Sequence, residues 1–394
     1  MKAIRQVGVI AEYDPFHAGH AWHLAETRRL TGAATLTVVM SSVFTQRGNA
    51  AILPPAVRAR MALVHGADAV FSLPAVYAVR DADHFAASGV HLLAQLGCDA
   101  ISFGAECAEL SKLQTCAELL ENESPAFRMN LRSGLDQGLP FPKAQSLAAE
   151  SEIPGADALL SQPNNTLAIC YLRAMIRMRI DMTPIVIPRS GDYRQSMLNG
   201  KNSSASSIRQ ALRRGDWPGI RSVMPPAAFR LVQEACRDCM VPDTRILNHL
   251  LLYRLRTMTD QEYRMLPDLS EGLENKLKKA AKLAGTAEEL FRLICGSRYS
   301  PARIQRLCTH ALLHMDRQNI EEDSLPPAAL LLGLRSDSGI TDQAKSGFPI
   351  IGKTAHQFQC QPAWFAAEER AYDIWALAAS QPAGMLYRQE VQRI

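Results

Sequence analysis

The chain has 394 residues, 47% of them hydrophobic, 21% charged and 6% aromatic. That length suggests two or three domains, and the composition excludes a disordered, collagen-like or disulfide-scaffold protein. The formal charge of +4 is too small to announce a nucleic-acid binder, so any basic surface must be local.

The first residues carry an apolar run, VGVI, that ends before Glu12. It is too short for a signal-peptide core, and no later stretch approaches a membrane span. The nine cysteines form no framework of paired spacings. That pattern fits a reducing cytosol, so a soluble cytoplasmic protein is expected. Cys236 and Cys239 are the one close pair, and without a second pair at comparable spacing they do not predict zinc.

Residues 7–13 read as a buried strand, 20–32 as a helix stopped by Gly32, and 35–41 as a second β-rich run. Pro54 and Pro55 open a helix that stops at Gly66, and 69–74 is strand-like. A further helix reaches about Leu96, with Gly97 as its stop, before CDAISFGAE supplies a fourth strand. This alternation predicts an α/β fold with a doubly wound parallel sheet, Rossmann-like, whose ligand sits outside the carboxyl ends of the strands. Residues 110–180 are mostly helical, interrupted at 161–167. A strand returns at 183–189, and the Ser/Gly/Asn-rich segment 190–207 is a surface loop opening a helix near Ile208. Beyond about Pro225 helical periods dominate. The expected division is therefore a catalytic domain over 1–225 and a mainly helical, basic domain over 226–394.

The sharpest local signal is EYDPFHAGHAWH, residues 12–23. A strand ends, Pro15 turns the chain, and His17 and His20 flank Gly19 at the start of a helix. Gly19 admits a close backbone approach, and the helix N-terminus presents free N–H groups and a positive dipole end. Two imidazoles on that turn can stabilise charge developing on an α-phosphate. The plainer readings are a metal pair or two helix-capping histidines. At SSASSIRQAL, residues 203–212, serines open a helix and Arg209 follows. Ser206 and Ser207 can cap while Arg209 reaches phosphate.

The first of these segments resembles the HxGH signature of the nucleotidylyltransferase superfamily, and the second its ISSTxIR pattern. With MSSVFTQRGNAAI (40–52), LPAVYAV (73–79), FGAE (103–106), QPNN (162–165), EGLENKL (271–277) and GSRYSPARIQR (296–306), the chain resembles the tRNA(Met) cytidine acetate ligase family over nearly its whole length. The resemblance implies an ATP-dependent ligase that forms acetyladenylate and acetylates N4 of the wobble cytidine of elongator tRNA(Met). Acetate, ATP with Mg2+ and tRNA would be its ligands, with no membrane and no protein partner implied. The usual family loop reads YNPFHNGH, where this chain has Asp14 and Ala18. An extra carboxylate beside a triphosphate repels it unless paired.

Carried onto this sequence, the resemblance implies His17 and His20 as catalytic residues. The ATP site would take Ile10, Ala11, Glu12, Tyr13, Asp14, Pro15, Phe16, His17, Ala18, Gly19, His20, Ala21, Trp22 and His23, then Gly104, Asn164 or Asn165, Arg189, Ser207 and Arg209. Gly104 ends a strand at the ligand edge, where a missing side chain admits a base or ribose; a plain turn glycine is the alternative. Asn164 and Asn165 can meet ribose or base, or simply form a helix-entry turn. Arg189 can pair with phosphate or lie on the surface. Arg47 is an acetate or phosphate ligand, and Glu12 either positions a magnesium-bound water or joins a structural network. From Lys276 to Arg306 the chain carries eight Lys and Arg against two Glu. Lys276, Lys279, Lys282, Arg298, Tyr299, Arg303 and Arg306 therefore suit an RNA backbone and a stacked base, against the alternative of a solvated helix face. No resident metal site is read. Two other functions stay open: a small-molecule nucleotidylyltransferase acting on a phosphorylated precursor, and an inactive tRNA-binding protein.

Overall fold

The computed structural model describes residues 3–189, 204–269, 272–296, 299–317, 325–336, 347–352 and 363–394. The chain opens with β1 (Gln6–Ala11), α1 (Ala18–Thr31), β2 (Thr35–Ser41), α2 (Pro55–Val64), β3 (Ala69–Leu73), α3 (Ala75–Ala78), α4 (Ala82–Gln95) and β4 (Ala100–Ala105). Five helices follow: α5 (Leu110–Glu121), α6 (Pro125–Asp136), α7 (Phe141–Glu150), α8 (Ala156–Leu160) and α9 (Pro163–Met178). Then come β5 (Thr183–Pro188), α10 (Ala205–Arg214), α11 (Trp217–Val223) and α12 (Pro226–Arg237). The remaining described elements are α13 (Thr244–Thr257), α14 (Asp260–Arg264), α15 (Leu273–Leu283), α16 (Ala287–Ile294), α17 (Pro301–Leu312), β6 (Ala329–Leu334), β7 (Ile350–Ile351), α18 (Ala363–Ala378), α19 (Met385–Arg388) and β8 (Gln392–Arg393). None of the described helices is long and apolar enough to cross a membrane.

The strand signals translate almost residue for residue. β2, TLTVVMS, is buried throughout, as a strand covered on both faces must be. Its side chains alternate between two cores: Leu36, Val38 and Met40 face one, and Val39 the other. Gly32 ends α1 in the left-handed conformation, φ 61°, the stop that a glycine supplies without steric cost.

Strands β1 to β5 are parallel, in the order β5-β4-β1-β2-β3. The winding reverses between β1 and β4, which creates a crevice at their carboxyl ends. One face of the sheet is packed by a core that includes residues of α4, α5, α9 and α18. The opposite core includes residues of α2 and α10 to α12. A third core, from Leu247 to Leu312, lies within the helical region.

The second half of the chain is not wholly helical. β6 adds antiparallel to β3, and β7 and β8 both pair with β6. The sheet thus takes strands from both sides of the division drawn at residue 225. ALLLGL at 329–334 is a short apolar run, which periodicity alone does not separate from a buried helical segment. Helix α18 returns to the first core as well: Phe365, Tyr372 and Trp375 are fully buried there, and Trp375 Nε1 donates to the carbonyl of Ala51 at 2.6 Å.

Candidate active site

The HxGH segment lies between the end of β1 and the first turn of α1, at the crevice where the sheet reverses. Tyr13, at φ 49°, and the cis peptide between Asp14 and Pro15 turn the chain. Tyr13 and Phe16 then bury their rings, 4.9 Å apart and edge to face. Of the candidate ATP residues, Tyr13, Asp14, Pro15, Phe16 and His17 are buried, Trp22 is exposed, and Ile10, Ala11, Glu12, Ala18, Gly19, His20, Ala21 and His23 lie between.

The two histidines do cap the helix, and the capping orients them. His17 Nδ1 accepts the Gly19 amide at 3.0 Å, and His20 Nδ1 accepts the His17 amide at 3.3 Å. A ring nitrogen that accepts from a backbone amide carries no proton, so in each neutral ring the proton is on Nε2. The rings stack 3.8 Å apart. Burial holds His17 down at about 3 and His20 well below the ordinary histidine range, with the Arg189 charge adding to both. His23, lowered to about 4 by burial and Arg189, reaches the Ser102 hydroxyl at 3.3 Å. The result is a pair of neutral N–H donors at the positive end of a 14-residue helix with no acidic residue in its first turn.

The serine-rich second motif meets the first directly. Arg209 Nη1 donates to the Asp14 carbonyl at 2.5 Å and lies 3.2 Å from the Asp14 carboxylate. Asp14 Oδ1 accepts the Ile52 amide at 2.6 Å. The extra carboxylate is therefore buried, hydrogen-bonded and paired. The cap of α10 is made by Ser204, whose hydroxyl accepts the Ser207 amide, while the buried Ser207 hydroxyl donates back to the Ser204 carbonyl at 2.7 Å. The capping role expected of Ser206 and Ser207 thus belongs to Ser204.

Arg189 follows β5 and acts electrostatically on His17, His20 and His23. A Cβ built on Gly104 would lie 2.7 Å from Arg189 Cδ. The space expected to admit a base or ribose at Gly104 is thus filled by the Arg189 stem. Asn165 Oδ1 accepts the Cys107 amide at 2.8 Å, and Asn164 Nδ2 donates to Glu106 at 2.5 Å. Both asparagines lie in the first turn of α9 and tie it to the segment after β4 through one end of their amides. Glu12, raised by burial, accepts the Gln46 amide at 2.6 Å, which is the structural network among its two readings. Arg47 next to it is exposed. No group of three metal-ligating side chains occurs among the described residues.

Arg58 escaped the sequence reading. It is fully buried and donates to the carbonyls of Leu53 at 3.0 Å, Glu12 at 2.7 Å, Ser41 at 3.0 Å and Ser42. One guanidinium thus ties the ends of β1 and β2 together behind the HxGH turn. Its signal was an arginine inside PAVRARMALV, where a charge on the apolar face needs a buried partner.

The basic segment divides. Tyr299 is buried at 6% exposure, with Lys276 and Arg303 over its ring at 5.4 and 5.8 Å. Packed this way the ring offers no free face to a base, which corrects its reading as a stacking platform. Lys276 Nζ also donates to the Ile294 carbonyl at 2.9 Å. Lys279 and Lys282 are exposed along α15. Arg303 and Arg306 are half-buried on α17, and Arg298 lies outside the described residues.

Comparison with known proteins agrees with this geometry. A model of the family described as HIGH Nucleotidyl Transferase matches residues 4–390. The tRNA(Met) cytidine acetate ligase of Caldanaerobacter subterraneus subsp. tengcongensis is 34% identical over 385 residues, covering 94% of this chain and 95% of that protein. Its namesake from Thermoanaerobacter sp. (strain X514) is 35% identical over 382 residues, covering 94% and 95%. The fold matches crystal structures of Thermotoga maritima TmcAL. The apo form has a TM-score of 0.90 at 24% identity, and the form bound with alpha-thio ATP 0.89 at 23%; each covers 99% of this chain and 100% of that one. With its signature turn, its second motif and its full length accounted for, the chain belongs to the tRNA(Met) cytidine acetate ligase family, a family of ligases within the HIGH nucleotidyl transferases.

Proposed function

We propose that this protein uses ATP to activate acetate as acetyladenylate and transfers the acetyl group to N4 of the wobble cytidine of elongator tRNA(Met). The observation that carries the reading is the pair of neutral, Nε2-protonated imidazoles at the N-terminus of α1, beside Arg209 and Arg189. It is supported by the names of the relatives and by the ATP analogue bound to the Thermotoga maritima structure.

An acetate oxygen attacks the α-phosphorus, the bond to pyrophosphate breaks, and charge builds on the phosphate oxygens. His17 and His20 donate to those oxygens from fixed positions, so little reorganisation is needed as the charge develops. Their low proton affinity keeps them as N–H donors without adding charge. The helix dipole, Arg189 and Arg209 supply the positive field for the triphosphate. Magnesium entering with the nucleotide would neutralise phosphate charge, with coordination drawn from phosphate and water. In the second step the cytidine N4 attacks the anhydride carbonyl carbon, AMP leaves, and N4 loses a proton.

Acetate-dependent ATP–pyrophosphate exchange, followed by mass analysis of nucleosides from treated tRNA, tests both steps. Exchange that requires acetate, with an acetyl mass gained on cytidine, is the expected result. Exchange without acetate dependence would instead point to a nucleotidylyltransferase acting on a phosphorylated precursor. Tight tRNA binding with no exchange would point to an inactive binder.

A further inference from the structure

The loop 45–50 joins the nucleotide crevice to the helical region. On one side the Gln46 amide donates to Glu12 at 2.6 Å, and Gln46 Nε2 donates to the Arg80 carbonyl at 2.6 Å. On the other, Gln305 Nε2 and Thr309 Oγ1 donate to the Gly48 carbonyl at 3.2 and 2.7 Å. Gly48 sits at φ 84°, and a Cβ on it would lie 3.1 Å from the Arg306 backbone. Only glycine lets the loop lie flat on α17 here.

This contact sets the exposed Arg47 near Arg306, with Arg303 one turn earlier on the same helix. Arg306 Nε is buried and, among the described residues, donates to nothing. Arg47 likewise makes no hydrogen bond to a described residue. The carboxylates that act on the cluster are Asp268 and Asp81 on Arg306 and Glu12 on Arg47, but among the described residues none accepts a hydrogen bond from the Arg47 or Arg306 guanidinium. Asp81 is hydrogen-bonded to His84 at 2.8 Å, and Asp268 gives Arg303 its backbone carbonyl at 2.9 Å, with its carboxylate Oδ2 hydrogen-bonded to none of the described residues. Leaving a buried guanidinium N–H without an acceptor is costly unless a further acceptor completes the site.

We propose that Arg47, Arg303 and Arg306 form a seat for one backbone phosphate of the RNA substrate, at the rim of the crevice. The seat fixes the nucleotide whose base enters the acetyl-transfer site, and it rests on the function proposed above. The polyphosphate of ATP is served by a different set, the α1 N-terminus with Arg189 and Arg209. Arg47 is thereby given to phosphate rather than to acetate.

The test is fluorescence anisotropy of a labelled anticodon stem–loop of elongator tRNA(Met) binding the full chain over a salt series. Arg306→Ala should weaken binding about tenfold or more and make the log–log salt slope shallower by about 0.7 to 0.9, the share of one phosphate. Arg306→Lys should restore the slope, which separates lost charge from lost folding. Arg47→Ala, a change at an exposed position, should reduce the slope by the same amount. A slope unchanged in both alanine variants overturns the seat. Weakened ATP binding with RNA binding intact also overturns it, placing the nucleotide's polyphosphate there instead. A wild-type chain that binds no RNA overturns the proposed function and the seat together, whereas wild-type binding indifferent to Arg47 and Arg306 overturns the seat alone.

Discussion

Arg209 donates to the backbone carbonyl of Asp14 at 2.5 Å and faces its carboxylate at 3.2 Å, across 195 residues of chain. Two motifs that look independent in the sequence are one structural unit at the crevice where the sheet reverses. Asp14 both neutralises part of the Arg209 charge and holds the loop through the Ile52 amide.

Two substitutions at Asp14 separate those roles. Asp14→Asn keeps an oxygen for the Ile52 amide and removes the charge that competes for Arg209, so the Michaelis constant for ATP in pyrophosphate exchange should fall. Asp14→Ala leaves the buried Ile52 N–H unsatisfied and should lower unfolding free energy by about 1–3 kcal/mol. Exchange kinetics and denaturant titration of the two variants check this.

His17 caps α1 and, on the function proposed above, also donates through Nε2; asparagine is itself a good cap. His17→Asn should keep the melting temperature near that of the parent while losing the Nε2 donor. The expected fall in exchange rate is about 10²–10³-fold, the usual effect of removing one charge-stabilising donor. A rate near wild type would show that His17 only caps.

Glu368, on α18, is fully buried, with Oε2 accepting the Ala75 amide at 2.5 Å. Burial pushes it up to about 7 from the ordinary carboxylate value of 4.5. Because the folded state holds this proton more tightly, its contribution is full below about pH 4.5 and is lost as pH rises through about 7. Glu368→Gln removes that dependence while keeping an acceptor for Ala75. The stability of the variant relative to wild type should therefore grow by up to about 3 kcal/mol between pH 5 and pH 8. Denaturant titration at the two pH values reads it, and a constant difference would contradict the assignment.

Tyr299 and the α15 lysines should respond in opposite ways. Tyr299→Ala empties a buried site and should cost about 3–5 kcal/mol of stability. The double change Lys279→Ala with Lys282→Ala touches exposed side chains and should leave stability within about 0.5 kcal/mol. If α15 meets RNA, that double variant should show a shallower salt dependence of RNA binding. Thermal unfolding and anisotropy on the same preparations distinguish the two.

What the sequence by itself determined is local. Alternating apolar runs closed by glycine and proline marked β1 to β5 and their helices, because each signal depends on neighbours a few residues away. The HxGH turn at the end of β1 was legible for the same reason, and the resemblance across the chain identified the family. What only the tertiary structure decided depends on partners distant in sequence. Arg58 becomes a clamp only when the ends of β1 and β2 converge on it. Gly104 lies against Arg189 because β5 pairs with β4. Arg209 turns from a phosphate ligand alone into a partner of Asp14 once α10 packs by the crevice. ALLLGL is a strand because β3 leaves an open edge for it, and Tyr299 is buried because α15 and α17 close over its ring. Each of these is settled by burial and by hydrogen-bonding groups that meet only after the chain folds.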